Sequence, residues 1–509
     1  SGAVTDGTFV KTGDGAFALT GENCLRKAVS LAGGCNTLGG ATSVFGIDSL
    51  ALGGGTLATL APLTLPQTRV AAVPADEPQI VRTDADTTMG PLDVTGLFLK
   101  RGAGKLTIDY SSETVSHVLT TVKTDGKTDE GAAVGLPHDP DGAYSFPSDG
   151  SAPDGGFAGL TVAEGELVLK GNPASPTEQK VNGSLLIGMR TPDGTAQPTL
   201  TLDGIRVRHH GYGRAWIGLG AGGAGSFVRS PTLRLVNGAY LIAESTGLGY
   251  GSRAGDDFEP TLALTNSTIW AISQLIWSSS RDLAHPAKIR AKDATLLGAG
   301  CAVYIAGAVD ADIDHSLVAE NESDCGSFAV QSYGLGTIGG RIVLRNGSRF
   351  RIDRFDVTKL ERELSLVFDD SEWDWGGGDF TLSFPETLDA GLFRVTMRGR
   401  GLRVVPTAGH TLTLAHPLVG DGGFCVCGEG TVAFGAGAYR FAGPACATSG
   451  TIDLASAGTV SGAAFGGGDG VIRGGSLARA TVALEVDGTG VATNGVPHFA
   501  DCTFTGAVR

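Results

Sequence analysis

A short sequence pattern recurs through the middle of the chain and limits the folds that the chain can adopt. The copies read PTLTLDGIRV from Pro198, PTLRLVNGAYLI from Pro231 and PTLALTNSTIWAI from Pro260. Alternating residues such as Leu262 and Leu264 share one face of a strand, and their neighbours occupy the other face. A following Gly or Asn tolerates left-handed backbone angles, which allows a sharp turn. Each copy therefore predicts a strand that ends at a corner.

Weaker copies continue the series towards the C-terminus. They read AKIRAKDATLL from residue 287, ADIDHSLV from residue 311, GRIVLRNGSRF from residue 340 and LSLVFDDSEW from residue 364. We expect the corner residues to line up along one edge of the fold. At intervals of 22 to 33 residues they are Gly204, Asn237, Asn266, Asp293, His315, Asn346, Asp370 and Gly399.

The variable interval suits one coil of chain plus a loop of changing length. A single coil cannot bury its apolar face alone, but stacked coils share a continuous core. An array of β-sandwiches would show matched hairpin signals roughly every ten residues, and few are present. The 80 glycines also suit many short strands and tight turns. We predict an all-β chain that forms a right-handed parallel β-helix, a β-solenoid of the pectin-lyase-like kind with irregular loop excursions.

Two stretches interrupt the periodicity. The segment 60–92 carries five prolines, and the segment 125–156 is rich in Pro, Gly and Asp. We expect an N-terminal β capping region over residues 1–90 and a parallel β-helix over residues 91–509. Residues at about 125–156 should form an irregular excursion, and the native protein should continue beyond residue 509.

The charge balance narrows the possible partners. A net charge of −15 argues against nucleic acid, because phosphate binding needs clustered Lys and Arg. It also disfavours anionic polymers unless a cation intervenes. No apolar run approaches the length of about 18 residues that suggests a membrane-spanning helix. We therefore expect no transmembrane span.

The eight cysteines permit disulfides, and two spacings resemble one coil. Cys301 and Cys325 are 24 residues apart, and Cys425 and Cys446 are 21 apart. Stacked coils would bring such residues to about 5 Å, which a disulfide can span. We predict the pairs Cys301–Cys325, Cys24–Cys35 and Cys446 with Cys425 or Cys427, which leaves Cys502 for the other. Such bonds imply an oxidising compartment, although buried thiols and a metal site remain alternatives.

A second motif joins distant parts of the chain. GTFVKTGDGAFALTG at 7–21, GLFLKRGAGKLTI at 96–108 and GGFCVCGEGTVAF at 422–434 share an apolar–x–Lys–x–Gly–x–Gly core. Lys11 and Lys100 match, whereas Val426 replaces the lysine in the third copy. The glycines permit a bend between strands, and we expect the lysine to lie over the surface of its neighbour.

This motif resembles the autotransporter-associated β-strand repeat of large bacterial surface proteins. GLTVAEGELVLKG, from Gly159, looks like the closing strand of the same repeat. The motifs cover under a fifth of the chain. The resemblance implies a passenger-type β-helix and an export route to the cell surface or the medium, and it implies no particular activity.

The sequence VDADIDH at 309–315 places three carboxylates on one strand face. Asp310, Asp312 and Asp314 would repel one another unless they are solvated or bound to a cation. Calcium favours such oxygen ligands. The alternative is a solvent-facing row opposite the buried Ala311 and Ile313, with no cofactor.

An acidic and aromatic cluster, FDDSEWDWGGGDF, occupies residues 368–380. Trp373 and Trp375 would share a face and could stack on a sugar ring, with Asp374 and Asp379 beside them. Paired carboxylates next to aromatic rings are also what glycoside hydrolysis uses. Packing of the tryptophans at the edge of a coil is the third interpretation, and it leaves the catalytic residues unknown.

One basic patch interrupts the acidic chain. RVRHHGYGRAW at 206–216 gathers Arg208, His209 and His210 as a candidate site for an anionic group. The structural alternative is a segment that packs against the neighbouring coil.

We infer a segment of a secreted or cell-surface bacterial β-solenoid with a structural or adhesive role. Its expected partners are a carbohydrate, a component of the cell surface or matrix, or other copies of itself. The alternative is a polysaccharide-active enzyme, a lyase or glycoside hydrolase, on the same scaffold. Fold alone does not decide between these classes.

Overall fold

The computed structural model describes residues 9–19, 29–39, 50–65, 68–70, 79–94, 98–121, 158–182, 184–188, 197–210, 214–219, 230–250, 259–278, 283–321, 325–331, 337–383, 390–483 and 495–505. The chain divides into two compact units, Ser1–Lys288 and Ile289–Arg509. Each unit consists almost wholly of short parallel strands.

The strands of the first unit are β1 Phe9–Lys11, β2 Phe17–Leu19, β3 Val29–Ala32, β4 Cys35–Leu38, β5 Leu50–Gly53, β6 Thr56–Thr59, β7 Leu63–Leu65, β8 Thr68–Val70, β9 Gln79–Thr83, β10 Thr87–Met89, β11 Leu92–Val94, β12 Phe98–Arg101, β13 Lys105–Asp109, β14 Val118–Thr121, β15 Ala158–Val162, β16 Glu166–Lys170, β17 Glu178–Asn182, β18 Ser184–Ile187, β19 Thr199–Asp203, β20 Arg206–His210, β21 Arg214–Leu219, β22 Thr232–Val236, β23 Tyr240–Tyr250, β24 Thr261–Thr265 and β25 Thr268–Ser278. Strand β26, Ala287–Lys292, crosses the division.

The strands of the second unit are β27 Thr295–Gly298, β28 Cys301–Ile305, β29 Ala308–Asp314, β30 Leu317–Ala319, β31 Gly326–Val330, β32 Gly339–Arg345, β33 Arg349–Val357, β34 Leu364–Trp375, β35 Phe380–Leu382, β36 Phe393–Pro406, β37 Thr411–Leu414, β38 Leu418–Gly420, β39 Phe424–Val426, β40 Thr431–Phe434, β41 Tyr439–Phe441, β42 Ala445–Ala447, β43 Thr451–Asp453, β44 Thr459–Ser461, β45 Ala464–Gly466, β46 Val471–Arg473, β47 Ser476–Ala478, β48 Thr481–Ala483, β49 His498–Ala500 and β50 Thr503–Thr505. A short 3-10 helix occupies Ala390–Leu392. No helix in the described ranges is long and apolar enough to cross a membrane.

Each strand pairs in parallel with a strand one coil further along the chain. In the first unit one row runs β7, β10, β13, β16, β19, β22 and β24. A second row runs β2, β4, β6, β9, β12, β15, β18 and β21. This arrangement is consistent with the predicted β-solenoid and confirms an all-β fold built on parallel strands.

Alternation along each strand produces ladders of identical residues in the core. The register places Leu106, Leu167, Leu200, Leu233 and Leu262 in line, one per coil. All five side chains are at most 1% exposed. Because no single strand could bury this face alone, the shared ladder links the stability of each coil to that of its neighbours.

The second unit follows the same plan. One row runs β29, β32, β34, β36, β38 and β41, and another runs β35, β37, β40, β43, β46 and β49. A third row passes from β33 through β34, β36 and β39 to β42. Strands β34 and β36 belong to two rows, because each continues through a corner.

The predicted corner residues adopt left-handed backbone angles. In the first unit Gly204, Asn237 and Asn266 have φ values of 59°, 56° and 46°. The second unit carries the rest of the set, namely Asp293, His315, Asn346, Asp370 and Gly399, with φ values from 46° to 56°. The prediction of a repeated corner is confirmed within each unit. Asn, Asp, His and Gly fill it because they tolerate this conformation best.

Backbone hydrogen bonds connect successive corners. The N–H of His315 donates to the carbonyl of Arg345 at 3.1 Å, and that of Asn346 donates to the carbonyl of Asp369 at 3.2 Å. Buried serines follow four of the corners, and the hydroxyl of Ser348 accepts the N–H of Ser316 at 3.2 Å. The corner thus stacks through both backbone and side-chain contacts.

Asn266 allows a direct test of the corner geometry. Its φ of 46° suits Asn and Gly but strains a β-branched residue. We expect Asn266→Val to lower the free energy of unfolding by about 2 kcal/mol, whereas Asn266→Gly should change it by less than about 0.5 kcal/mol. Urea denaturation followed by circular dichroism measures both, and equal losses in the two variants would contradict the corner assignment.

The predicted division near residue 90 does not coincide with a change in strand pairing. Strand β10 pairs in parallel with β7 on one side and β13 on the other, and β9 pairs with β12. Coils before and after residue 90 therefore stack alike. The predicted excursion at 125–156 and Cys24, the predicted partner of Cys35, lie outside the described residues.

The cysteine predictions have mixed outcomes. Cys425 and Cys446 are in register on β39 and β42 and form a disulfide, with Cα atoms 4.6 Å apart. The predicted bond between Cys301 and Cys325 is wrong, since both are free thiols. The register pairs Val303 with Phe328, so Cys325 is one residue out of line with Cys301 and faces the other way.

The remaining predicted bond, between Cys427 and Cys502, is also wrong, since both are free. Cys427 precedes β40, whereas Cys502 follows β49, and the row between them runs through β43 and β46. Three coil steps of about 4.8 Å separate the two thiols, which is too far for a disulfide.

The Gly-x-Gly turn at 102–104 packs closely against the turns of its neighbouring coils, with Thr83 on one side and Gly165 on the other, and Lys100 is buried beside it. The Nζ atom of Lys100 donates to the carbonyls of Arg101 and Gly102 at 2.8 Å and of Glu164 in the next coil at 3.1 Å. Lys100 is fully buried. The expectation that the motif lysine lies over a surface is therefore wrong for Lys100, because its ammonium group satisfies turn carbonyls that would otherwise lack a donor.

Candidate functional site

The three aspartates of β29 lie on its outer face. Asp310, Asp312 and Asp314 are partly exposed, and Ala311 and Ile313 between them are fully buried. The predicted common face of the carboxylates is confirmed.

Arginines of the next strand neutralise this row. Arg341 lies 3.1 Å from Asp310, and Arg345 lies 3.0 Å from Asp312 and 3.6 Å from Asp314. Burial tends to raise the pKa of Asp310, but hydrogen bonds from arginines outweigh it and lower that pKa. Among the described residues no group of three or more His, Cys, Asp or Glu side chains is placed to hold a metal ion. The carboxylates of the row therefore lie in ion pairs with arginines, and the Ca²⁺ site stays a prediction.

A second charge ladder crosses β33, β34 and β36. The Nε atom of Arg349 lies 2.9 Å from Glu372, and that of Arg351 lies 2.8 Å from Asp374. On the other side Arg403 is in register with Glu372, at 3.9 Å. Glu372 and Asp374 of β34 therefore each have an arginine of a neighbouring coil beside them.

The two tryptophans of the acidic cluster point into the core. Trp373 and Trp375 share a face, as predicted, but each is only 1% exposed. Trp373 stacks on Phe368 at 6.2 Å, and Trp375 stacks on Phe380 at 4.9 Å. The exposed stacking platform for a sugar is therefore absent at these two residues, because the alternation of β34 sends its charged side chains outwards and its aromatic ones inwards.

Asp379 lies apart from this ladder. Its side chain is 76% exposed, 3.5 Å from His410, and accepts the backbone N–H of Thr411 at 2.7 Å. It is not part of the arginine ladder that holds Asp374.

A β-bulge adds one carboxylate that the sequence analysis did not single out. The register passes from Gly326 opposite Ile352 to Ser327 opposite Arg354, which leaves Asp353 unpaired. Burial raises the pKa of Asp353. No sequence signal marks a bulge of this kind, because it depends on the register with the preceding coil.

The predicted basic patch lies on β20, in the first unit. Both guanidinium groups contact one carboxylate, with Arg206 Nε at 3.0 Å and Arg208 Nε at 2.7 Å from Glu178. Burial tends to raise the pKa of Glu178, but the two arginines outweigh it and lower that pKa. His209 is 3% exposed and faces the interior. The side chain of His210 lies outside the described residues.

A buried histidine forms a further constellation that sequence reasoning missed. His117 is 5% exposed, and its Nδ1 and Nε2 atoms lie 3.1 Å from Asp93 and 3.3 Å from Glu113. Its backbone N–H donates to Gln179 at 2.7 Å. Both ring nitrogens have carboxylate partners, so the group ties three segments together and offers neither nitrogen to a substrate. In the sequence, only the spacing of Glu113 and His117 pointed to this group.

Together, these groups form ion pairs between coils, one bulged carboxyl group and one cationic patch. Comparisons with known proteins give no family for the chain: no family model, no curated protein and no solved structure matches it.

Proposed function

We propose that this chain is a segment of a secreted or cell-surface β-solenoid with a structural or adhesive role. The Gly-x-Gly turn at 102–104, which packs tightly between coils, and its buried Lys100 support the resemblance to autotransporter passenger repeats and hence a bacterial surface protein. The disulfide between Cys425 and Cys446 supports an oxidising compartment. We expect the solenoid to be a right-handed β-helix of the pectin-lyase-like kind, and the strong preference of parallel crossover connections for that hand supports the right-handed turn.

One observation carries the non-catalytic role. The outward carboxylates of β29 and β34, which the sequence offers as metal or catalytic groups, have arginines of adjacent coils beside them. A general acid must keep its proton near neutral pH, and an arginine partner opposes that. Ion pairs between coils instead hold register along the stack and keep the outer face polar.

A panel of polysaccharides tests this role. The purified chain should release no reducing ends and no unsaturated products from neutral or acidic polymers. It should bind at least one of them, or whole bacterial or host cell surfaces, in biolayer interferometry. Release of products at a rate proportional to protein concentration would contradict the proposal, and so would the absence of any binding.

The bulge at Asp353 favours glycoside hydrolysis as a second candidate. Asp353 has a raised pKa, whereas Asp374 lies beside Arg351, one coil away and two residues along. Strand spacing puts the Cα atoms of the two aspartates roughly 8 Å apart. A pair of carboxyl groups on neighbouring coils, one of them with a raised pKa, is the kind of pair that glycosidases use.

Paired substitutions distinguish the two candidates. Under the non-catalytic proposal, wild type, Asp353→Asn and Asp374→Asn all lack hydrolytic activity, and polymer binding changes by less than about threefold. Under the second candidate wild type hydrolyses a polymer, and each substitution lowers kcat by about a thousandfold or more. Asp379→Asn is the matched control, since this exposed carboxylate lies apart from the pair.

A further inference from the structure

The outer face of β17, β20, β23 and β25 combines cationic and aromatic side chains. The register aligns Glu178 with Arg206, Tyr240 and Thr268, one per coil. Two residues along, a parallel row carries Lys180, Arg208, Ile242 and Trp270. We call these two rows the cationic–aromatic face.

The face carries a net positive charge although the chain is acidic. Lys180, Arg206 and Arg208 contribute three positive charges, and Glu178 contributes one negative charge. At physiological ionic strength charges are screened beyond about 8 Å. The binding of a ligand to this face therefore depends on these local charges more than on the net charge of −15 of the whole chain.

Glu178 holds both guanidinium groups through their Nε atoms, which leaves their terminal Nη atoms available to a ligand. It contacts the Nε atom of each arginine, at 3.0 Å for Arg206 and 2.7 Å for Arg208. Within the described residues no side chain is hydrogen-bonded to their terminal Nη atoms. A guanidinium group held in this way presents a planar fork that matches a carboxylate.

Aromatic rings complete the face. Arg206 stacks over the ring of Tyr240 at 4.8 Å, which helps to hold its guanidinium group flat. Trp270 is half-buried on the outer side of β25, while its neighbours Ile269 and Ala271 are fully buried. Ile242, between Arg208 and Trp270, is fully buried as well. Trp270 therefore lies in the same row as Arg208, two coils along, with Ile242 between them.

We propose that the cationic–aromatic face binds a polysaccharide whose sugars carry carboxylate groups. One sugar ring of the polymer would stack on Trp270, and the carboxylates of sugars further along the polymer would meet the fork of Arg208 and the ammonium group of Lys180. This inference rests on the proposed adhesive role and names its ligand class. Nucleic acid fits less well, because its phosphates need a longer cationic surface than three residues provide.

The test compares polygalacturonate with the same polymer after its carboxyl groups have been reduced to alcohols. By biolayer interferometry the wild-type chain should bind the acidic polymer and should lose about tenfold or more in affinity for the reduced one. Arg208→Gln and Trp270→Ala should each weaken binding to the acidic polymer by about tenfold or more. Added salt should weaken it further.

Arg398→Gln is the matched control, because Arg398 is an exposed arginine of the second unit, far along the chain from this face. It should leave binding unchanged. Equal affinity for the reduced polymer, unchanged binding in Arg208→Gln, or equal affinity for sulfated dextran or DNA would overturn the assignment. If cell-surface adhesion persists without polyuronate binding, this face is wrong and the adhesive role stands. Product release would instead remove the adhesive role itself.

Discussion

Replacing Trp373 by alanine should lower the free energy of unfolding by about 4 kcal/mol. The indole ring is 1% exposed and lies against Phe368, Phe355 and Trp375. Truncation would remove its transfer energy and leave a cavity that stacked strands cannot close. Urea denaturation and hydrogen exchange of β33, β34 and β36 measure the loss.

Trp373→Phe is the control for this prediction. It keeps an aromatic ring and removes an indole N–H that lacks a hydrogen-bond partner in the described part of the chain, so it should cost only about 1 kcal/mol. If Trp373 were instead a sugar platform, alanine would leave stability intact and abolish polysaccharide binding. That result would restore the ligand-binding interpretation of the acidic cluster.

The buried Lys100 should make the free energy of unfolding increase as the pH rises. Burial lowers the pKa of its ammonium group to about 7, although Glu164 acts in the opposite direction. The unfolded chain keeps the ordinary lysine pKa of about 10.4. Between these values the unfolded state binds the extra proton, so the free energy of unfolding rises with pH.

The difference between the pKa of Lys100 in the folded chain and its pKa in the unfolded chain also gives the expected size of this effect. The difference in unfolding free energy between wild type and Lys100→Met should be nearly flat below pH 6 and rise by about 4 kcal/mol between pH 7 and 10.5. About half of that rise should appear by pH 9. The third Gly-x-Gly copy carries Val426 in the equivalent position, fully buried, so an apolar residue is compatible with such a turn.

Lys105→Met, which removes a half-exposed lysine from the adjacent strand, controls for the loss of one charge. A difference that falls as pH rises would mean that the three carbonyls around Lys100 hold it as an ammonium ion throughout. That outcome would make the lysine a stabilising charge rather than a costly one.

Local chemistry made the strand and corner pattern readable from the sequence. Leu262 and Leu264 alternate because a strand has two faces, and Asn266 or Asp370 must occupy a left-handed angle whatever lies around it. Both requirements involve only a few consecutive residues. The coil spacing predicted that Cys446 bonds Cys425 or Cys427, and the register of β39 and β42 selects Cys425.

The role of each outward side chain depends on which residues of the neighbouring coils lie beside it. Trp373 points into the core because its face of β34 is the one turned inwards. The sequence of acidic and aromatic residues alone is compatible with either face of the strand being buried. Asp310 and Asp374 resemble metal or catalytic groups until Arg341 and Arg351 appear beside them, at sequence distances that no motif specifies.

The all-β class, the repeated corners and the alternation of buried and outward residues could be predicted from the sequence, because they depend on backbone angles and on the two faces of a strand. Which outward residues meet depends on how the coils stack. A shift of one residue in the pairing of a strand moves its side chains to the opposite face. The register puts Cys325 one residue out of line with Cys301, and it brings Arg208 and Trp270 onto one face.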